Sequence, residues 1–231
     1  MPVKISHNAN LHRITRSMSV HYERAANQIE QLSSGNRVNR SSDDPSSLAL
    51  ADTLASEVRV LTEGNRNIQQ SIHMLQVADG ALSDINDMVL RMRSLAVQAS
   101  TANFNDRDRE TLNSEFQALR QEIDRIAEAT NFNGIKLLET NETYAIQAGP
   151  TETSNDVSRI TIGDMRASGP NLNITGHTVR TLRSAQETMQ HLIQFHDIVI
   201  EERNRIAAFT NRLEFSINTG LNIDRVLSLL G

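Results

Sequence analysis

An uninterrupted apolar rhythm from Pro45 to Ala99 limits the possible folds more than any other part of this sequence. Apolar residues recur along it at intervals of three, four or seven, which is the period of one face of an α-helix. A single helix of this extent would be roughly 80 Å long at about 1.5 Å per residue. The pattern therefore predicts a rod, and the residues that form the stripe are Leu54, Val58, Leu61, Ile68, Ile72, Leu75, Leu82, Val89 and Ala96.

The start of this long helix is marked by Asp43-Asp44-Pro45. This triplet puts an acidic N-cap before a proline at the first helical position, where the missing N–H costs nothing. Two neighbouring carboxylates could also suggest acid–base chemistry, but the flanking proline favours the helix cap.

Three further segments show the helical period. Residues 5–34 carry one narrow stripe, close to a heptad seam, composed of Leu11, Ile14, Met18, Tyr22, Ala25, Ile29 and Leu32. A second helix follows the polar loop 101–105 and ends at Asn131-Phe-Asn-Gly134, because Asn and Gly tolerate left-handed backbone. The rhythm returns from about Thr178 to Ile217.

Residues 134–176 differ in composition, with more Gly, Pro, Asn and Thr and with short alternating runs around 144–148 and 158–162. Such runs predict two or three short strands. The fold class is therefore mainly α: an elongated antiparallel helical bundle or coiled coil with a small β-hairpin region and long helices from both chain ends. A narrow apolar stripe is not stable alone, so the stripe on residues 11–32 needs a partner.

Charge and motifs argue against several function classes. The net charge of −5 does not favour a nucleic-acid binder, and no run approaches the ~20 apolar residues of a membrane span. There is no cysteine, no nucleotide-binding glycine motif and no helical pair of histidines at i,i+4. We therefore expect no enzyme activity, no cofactor and no bound metal. The candidate ligands would be the histidines, but no two of them have the spacing of a helical metal site; they are His7, His12, His21, His73, His177, His191 and His196.

Several blocks of the sequence resemble bacterial flagellins. Gln31-Leu-Ser-Ser-Gly-Asn-Arg-Val-Asn-Arg-Ser-Ser-Asp-Asp-Pro45 is similar to the family's SSG-x-RIN-x-A-x-DD block. Leu75-Gln-Val-Ala-Asp-Gly-Ala-Leu82, Arg91-Met-Arg-Ser-Leu-Ala-Val-Gln98 and Asn131-Phe-Asn-Gly134 follow in the family's order, and Asn211-Arg-Leu-Glu-Phe-Ser-Ile-Asn218 matches its C-terminal helix. The resemblance covers nearly all of 1–140 and about 178–218.

The resemblance implies a self-assembling structural subunit of the flagellar filament, outside the cell, without the family's outer variable domain. It divides the chain into an inner-tube or assembly segment (1–44), rod helices with a β-hairpin region (45–176), a C-terminal rod helix (177–218) and a short tail (219–231). It also implies export by the flagellar type III apparatus and growth under the filament cap, which fits a chain whose N-terminus resembles no signal peptide.

Two further expectations follow from the resemblance. Flagellins that activate Toll-like receptor 5 use positions that fall here on Arg91, Leu95 and Glu115; for Leu95, core packing and receptor contact remain equally open. Flagellins also usually continue for several tens of residues after Asn218. The shorter end here counts against ordinary polymerisation and against binding of the C-terminus-specific secretion chaperone.

Two alternatives to a major filament subunit stay open at this point. Within motility, the chain could be a hook–filament junction protein or a minor, non-polymerising flagellin, since Pro45 is shared with the junction protein. From another class, it could be a monomeric helical binding module that presents a long surface to a partner.

Overall fold

The computed structural model describes residues 9–35, 44–153 and 156–230. Within these ranges it has four helices and two antiparallel strand pairs. The helices are α1 (Ala9–Ser34), α2 (Pro45–Ala99), α3 (Asp106–Ala129) and α4 (Leu182–Leu230). The strands are β1 (Asn131–Phe132), β2 (Ile135–Lys136), β3 (Glu142–Gln147) and β4 (Val157–Ile162). The mainly α class, with long helices from both chain ends and a small hairpin region, is confirmed.

The start of α2 is capped as its sequence predicts. The Asp44 carboxylate accepts hydrogen bonds from the backbone N–H groups of Ser46 and Ser47 at 3.1 and 3.2 Å, and from the Ser47 hydroxyl at 2.6 Å. These bonds satisfy donors that have no partner within the helix, and Pro45 occupies the first helical position. Asp43, the other predicted cap residue, lies outside the described residues, as do residues 5–8 of the first predicted helix.

The connection from α2 to α3 is held by one buried arginine. Arg109 donates from Nε to the Ala99 carbonyl at 2.9 Å and from Nη2 to the Thr101 carbonyl at 3.0 Å. Asn105 caps α3 with a reciprocal capping box, in which the Asp108 N–H and the Asn105 N–H each bond the other residue's side chain. The end of one helix and the start of the next are therefore both fixed.

The chain leaves α3 through two hairpins. Asn133 and Gly134 adopt φ values of 50° and 81°, which lets β1 and β2 pair antiparallel across a two-residue turn. The helix stop expected at Asn131–Gly134 is thus a tight hairpin turn. β3 and β4 pair antiparallel from Glu142↔Ile162 to Gln147↔Val157, which confirms strands in both alternating runs.

The chain divides into two compact units. The larger is Val58–Leu229, and the described residues before Val58 belong to the smaller. The division falls within α2, whereas the sequence places a boundary at residue 44. None of the helices in the described ranges has a stretch that is long and apolar enough to cross a membrane.

In the larger unit, α2 and α4 run antiparallel around a shared core. Asp79 of α2 accepts from Arg203 Nε of α4 at 2.9 Å, and farther along, Asn65 of α2 lies against Gly220 of α4. Apolar side chains of α2, α3, β3, β4, α4 and the segment between β4 and α4 form one buried cluster. Its members include Leu75, Leu82, Val89, Phe116, Ile123, Ile162, Met165, Leu192, Val199 and Leu213.

The last helix differs from its sequence-based outline at both ends. It begins at Leu182 rather than at Thr178, and it continues through residue 218 to Leu230. Residues 219–230, predicted as a short tail, are therefore part of the same helix.

Candidate assembly surface

The predicted stripe of α1 is exposed along its whole described length. From Leu11 to Ser34 every apolar side chain of α1 is exposed. Among the large ones, Leu11, Ile14, Met18, Tyr22, Ile29 and Leu32 expose between 54% and 84% of their surface. The described residues therefore leave this face without a covering element.

The stripe has the geometry of a coiled-coil seam. Successive residues of the stripe, Ala25 included, are separated by three or four positions, so their side chains line one face of the helix. Polar and charged residues, among them Arg13, Arg16, Glu23 and Gln28, are exposed between the seam positions. Because a contiguous apolar patch on a soluble protein marks an interaction site, this face is the candidate assembly surface.

Sequence reasoning missed other exposed apolar residues, on α2 and α4. Leu50 of α2 and Phe215, Leu221 and Val226 of α4 expose half or more of their surface. Phe215 and Val226 are eleven positions apart, which rotates them by only about 20° around a helix. The predicted helix ended at residue 218, so Val226 fell outside it and the face that it shares with Phe215 was not recognised.

The residues predicted for receptor binding do not all lie at the surface. Arg91 of α2 and Glu115 of α3 form an exposed ion pair, with Nη2 2.6 Å and Nε 2.8 Å from Glu115 Oε1. Leu95 is only 1% exposed and belongs to the core. Of its two interpretations, core packing is correct, and direct contact between Leu95 and a receptor is not supported.

A shallow groove between α2 and α3 adjoins this ion pair. Met88, Leu119 and Ile126 supply its apolar surface, while Glu122 and Arg125 are among the charged residues that line it. Arg125 Nε donates to the Glu122 carboxylate at 2.8 Å, and this hydrogen bond lowers the pKa of Glu122. The described residues on this face thus form a mixed-charge surface.

Comparison with known proteins identifies the relatives of this chain. The family model for the bacterial flagellin N-terminal helical region matches residues 5–143. A flagellin of Halalkalibacterium halodurans is 34% identical over 217 residues, which are 92% of this chain and 78% of that protein.

Other flagellins match over a smaller share of their own length. A flagellin of Clostridium tyrobutyricum is 37% identical over 65% of this chain and 40% of its own. A flagellin of Salmonella montevideo is 32% identical over 83% of this chain and 37% of its own. The chain thus spans less than half the length of these two relatives.

Two solved structures show the same fold. The crystal structure of Bacillus cereus flagellin is 28% identical to the chain, covers 67% of it and 88% of its own length, and superposes with a TM-score of 0.58. A putative flagellar hook-associated protein from Vibrio parahaemolyticus covers 82% of the chain and 99% of itself with a TM-score of 0.66. Its identity is only 13%, so it supports the fold alone.

Proposed function

The chain belongs to the bacterial flagellin family, and we propose that it assembles by burying the α1 stripe against other copies of itself. Members of this family are structural proteins, so the chain is not an enzyme but a structural subunit of the extracellular flagellar filament. Neither the junction-protein interpretation nor the monomeric binding module is favoured. In this proposal, residues 1–44 mediate assembly and residues 45–218 form the stable helical bundle.

The observation that carries this proposal is the unburied seam of α1. Full burial of a Leu or Ile side chain gains about 1.5–3 kcal/mol. Ile29 is 66% exposed, so covering it completely would gain roughly two thirds of that amount, about 1–2 kcal/mol. Several such residues along one seam give enough free energy to offset the cost of ordering and associating long helices.

Seeded sedimentation tests this function. Purified chain is mixed with filament fragments, and the concentration that remains in the supernatant at equilibrium is measured. We expect Ile29→Ala to raise this critical concentration by about tenfold, the equivalent of 1.4 kcal/mol per subunit. Gln28→Ala is the matched control, because Gln28 is exposed on the same turn but lies off the seam.

The two variants also separate assembly from folding. Because both side chains are exposed, neither substitution should change the melting temperature of the dilute chain. Wild-type chain that never pellets with seeds would refute self-assembly. Equal critical concentrations for Ile29→Ala and Gln28→Ala would refute the seam as its basis.

We further propose that the chain is exported by the flagellar type III apparatus and adds to the filament beneath its cap. Family membership supports this route, and the test is secretion of the chain by a cell with and without a functional export apparatus. Secretion that persists without the apparatus would contradict it.

A second candidate function is recognition by Toll-like receptor 5, and the exposed Arg91–Glu115 ion pair favours it. Arg91→Ala should lower affinity for the receptor ectodomain at least about tenfold, since an arginine at the centre of an interface contributes strongly. Arg93→Ala is the matched control, because Arg93 is exposed on the same helix. Absence of binding by the wild-type chain at micromolar concentration would refute this function.

A further inference from the structure

Two histidine rings meet where the chain enters its last helix. His177 lies in the segment between β4 and α4, and His191 lies on α4. Their ring centroids are 4.6 Å apart and the ring planes are inclined by 45°. Phe195, one turn farther along α4, contacts His177 edge-on at 5.4 Å.

The His177 ring is carried by a well-anchored piece of backbone. The His177 N–H donates to the Ile174 carbonyl at 3.0 Å, and the His177 carbonyl accepts from Gln117 Nε2 of α3 at 3.1 Å. His191 projects from a continuous helix and is exposed to solvent. The pair is therefore both positioned in advance and open on one side.

The ring nitrogens of His177 and His191 are available to bind a ligand. Across the described ranges, no protein group makes a hydrogen bond to a ring nitrogen of His177 or His191. A neutral imidazole is the form that binds metal ions.

The separation of the rings suits two ligands on one ion. With metal–nitrogen bonds of about 2.0–2.1 Å, each ring centroid would lie about 3.2 Å from the metal. Two imidazoles that bind at adjacent coordination positions then have centroids roughly 4.5–5.2 Å apart, and the observed 4.6 Å falls in this range. The described residues offer no group of three or more protein ligands, so water would fill the other positions.

We propose that His177 and His191 bind one divalent transition-metal ion of the kind that imidazole prefers, such as Zn²⁺, Ni²⁺ or Cu²⁺. The bound ion fastens the segment before α4 to the helix itself. Phe195 packs against both rings, with centroids 5.4 Å from His177 and 6.3 Å from His191, and metal binding is the further property that the unbonded ring nitrogens allow.

Calorimetric titration of the full chain with Zn²⁺ at pH 7 tests the site. His191→Gln should raise the dissociation constant at least about tenfold or remove one equivalent of bound metal, while circular dichroism shows an intact fold because His191 is exposed. His196→Gln is the matched control: His196 lies on the same helix beside Asp197, with Nδ1 3.6 Å from Oδ1. It should leave affinity and stoichiometry unchanged.

A site-resolved signal distinguishes metal binding from packing. Zn²⁺ should shift the imidazole ¹⁵N resonances of His177 and His191 together, and His191→Gln should abolish the shift at His177. The proposal is overturned if the wild-type chain shows no saturable Zn²⁺ binding, if His191→Gln binds with unchanged affinity and stoichiometry, or if neither ring shifts.

Discussion

Replacement of Arg109 by alanine should lower the free energy of unfolding by about 3–5 kcal/mol, because this side chain closes the C-terminal end of α2. Its side chain is only 7% exposed, and its guanidinium donates to the carbonyls of Ala99 and Thr101 at 2.9 and 3.0 Å. The Ala99 carbonyl belongs to the last turn of α2, where no later helical N–H is available to bond it.

The magnitude follows from these two bonds. A hydrogen bond to a charged group contributes about 1.5–3 kcal/mol, which gives roughly 3–6 kcal/mol for the pair. The third contact, to Asp106 at 3.2 Å, adds little because the Asp106 side chain is 92% exposed. Water that reaches the exposed Thr101 recovers part of the loss, which reduces the expected cost to about 3–5 kcal/mol.

Thermal and urea unfolding, followed by far-ultraviolet circular dichroism, measure this cost. At 2–4 °C per kcal/mol for a chain of this size, the melting temperature should fall by roughly 6–20 °C. Arg107→Ala is the matched control, because Arg107 is exposed on the same helix, and such changes usually stay within about 0.5 kcal/mol. Equal losses for Arg109→Ala and Arg107→Ala would refute the role of Arg109 as a cap.

Three further predictions concern stability. Gly80→Ala should stabilise the chain by about 0.5–1 kcal/mol, because Gly80 is an exposed helical residue with nothing within 4 Å of an added Cβ. Gly64→Ala should instead destabilise the chain, because the added Cβ would lie 2.1 Å from the Ala148 carbonyl oxygen. Urea titration measures the free energy of unfolding of both variants. Leu75→Ala should cost about 2–5 kcal/mol by the same titration, since Leu75 is fully buried. Because the pKa of His177 is lowered in the folded chain, the unfolded chain binds more protons, and the free energy of unfolding should fall as the pH drops from about 6.5 towards the folded-state pKa. His177→Gln should flatten this pH dependence. An unchanged pH profile in the variant would contradict the prediction.

The features that the sequence predicts well are those determined by neighbouring residues. The bounds of α2 agree with the predicted Pro45–Ala99 because the helical period, the Asp44 cap and the first-turn proline all act within a few residues. The left-handed backbone at Asn133–Gly134 was predicted as a helix stop for a similar reason, since Asn and Gly adopt positive φ readily, but the hairpin that it closes was not predicted.

The spacing of apolar residues in the sequence could not predict where α4 begins. Val179 continues the apolar rhythm of the helix, and it is buried, yet it lies before the first helical residue, Leu182. Its N–H donates to the Asn113 side chain of α3 at 3.2 Å instead of entering a helix. An apolar residue outside a helix can pack on a distant element and still have the helical spacing in the sequence. Periodicity alone therefore cannot distinguish it from an apolar residue inside the helix. The contact between His177 and His191 is hidden in the same way, because it joins a non-helical segment to a helix.

Leu95 shows where a spacing argument fails at the edge of a helix face. Arg91 and Leu95 are four positions apart and should share a face, yet Arg91 is exposed and Leu95 is buried. Four residues rotate by about 400°, so the two side chains differ by about 40° around the axis. Near the boundary between core and solvent, that rotation is enough to carry the apolar side chain into the core while the arginine stays outside and pairs with Glu115. Leu95 therefore belongs to the core, while Arg91 and Glu115 remain at the surface.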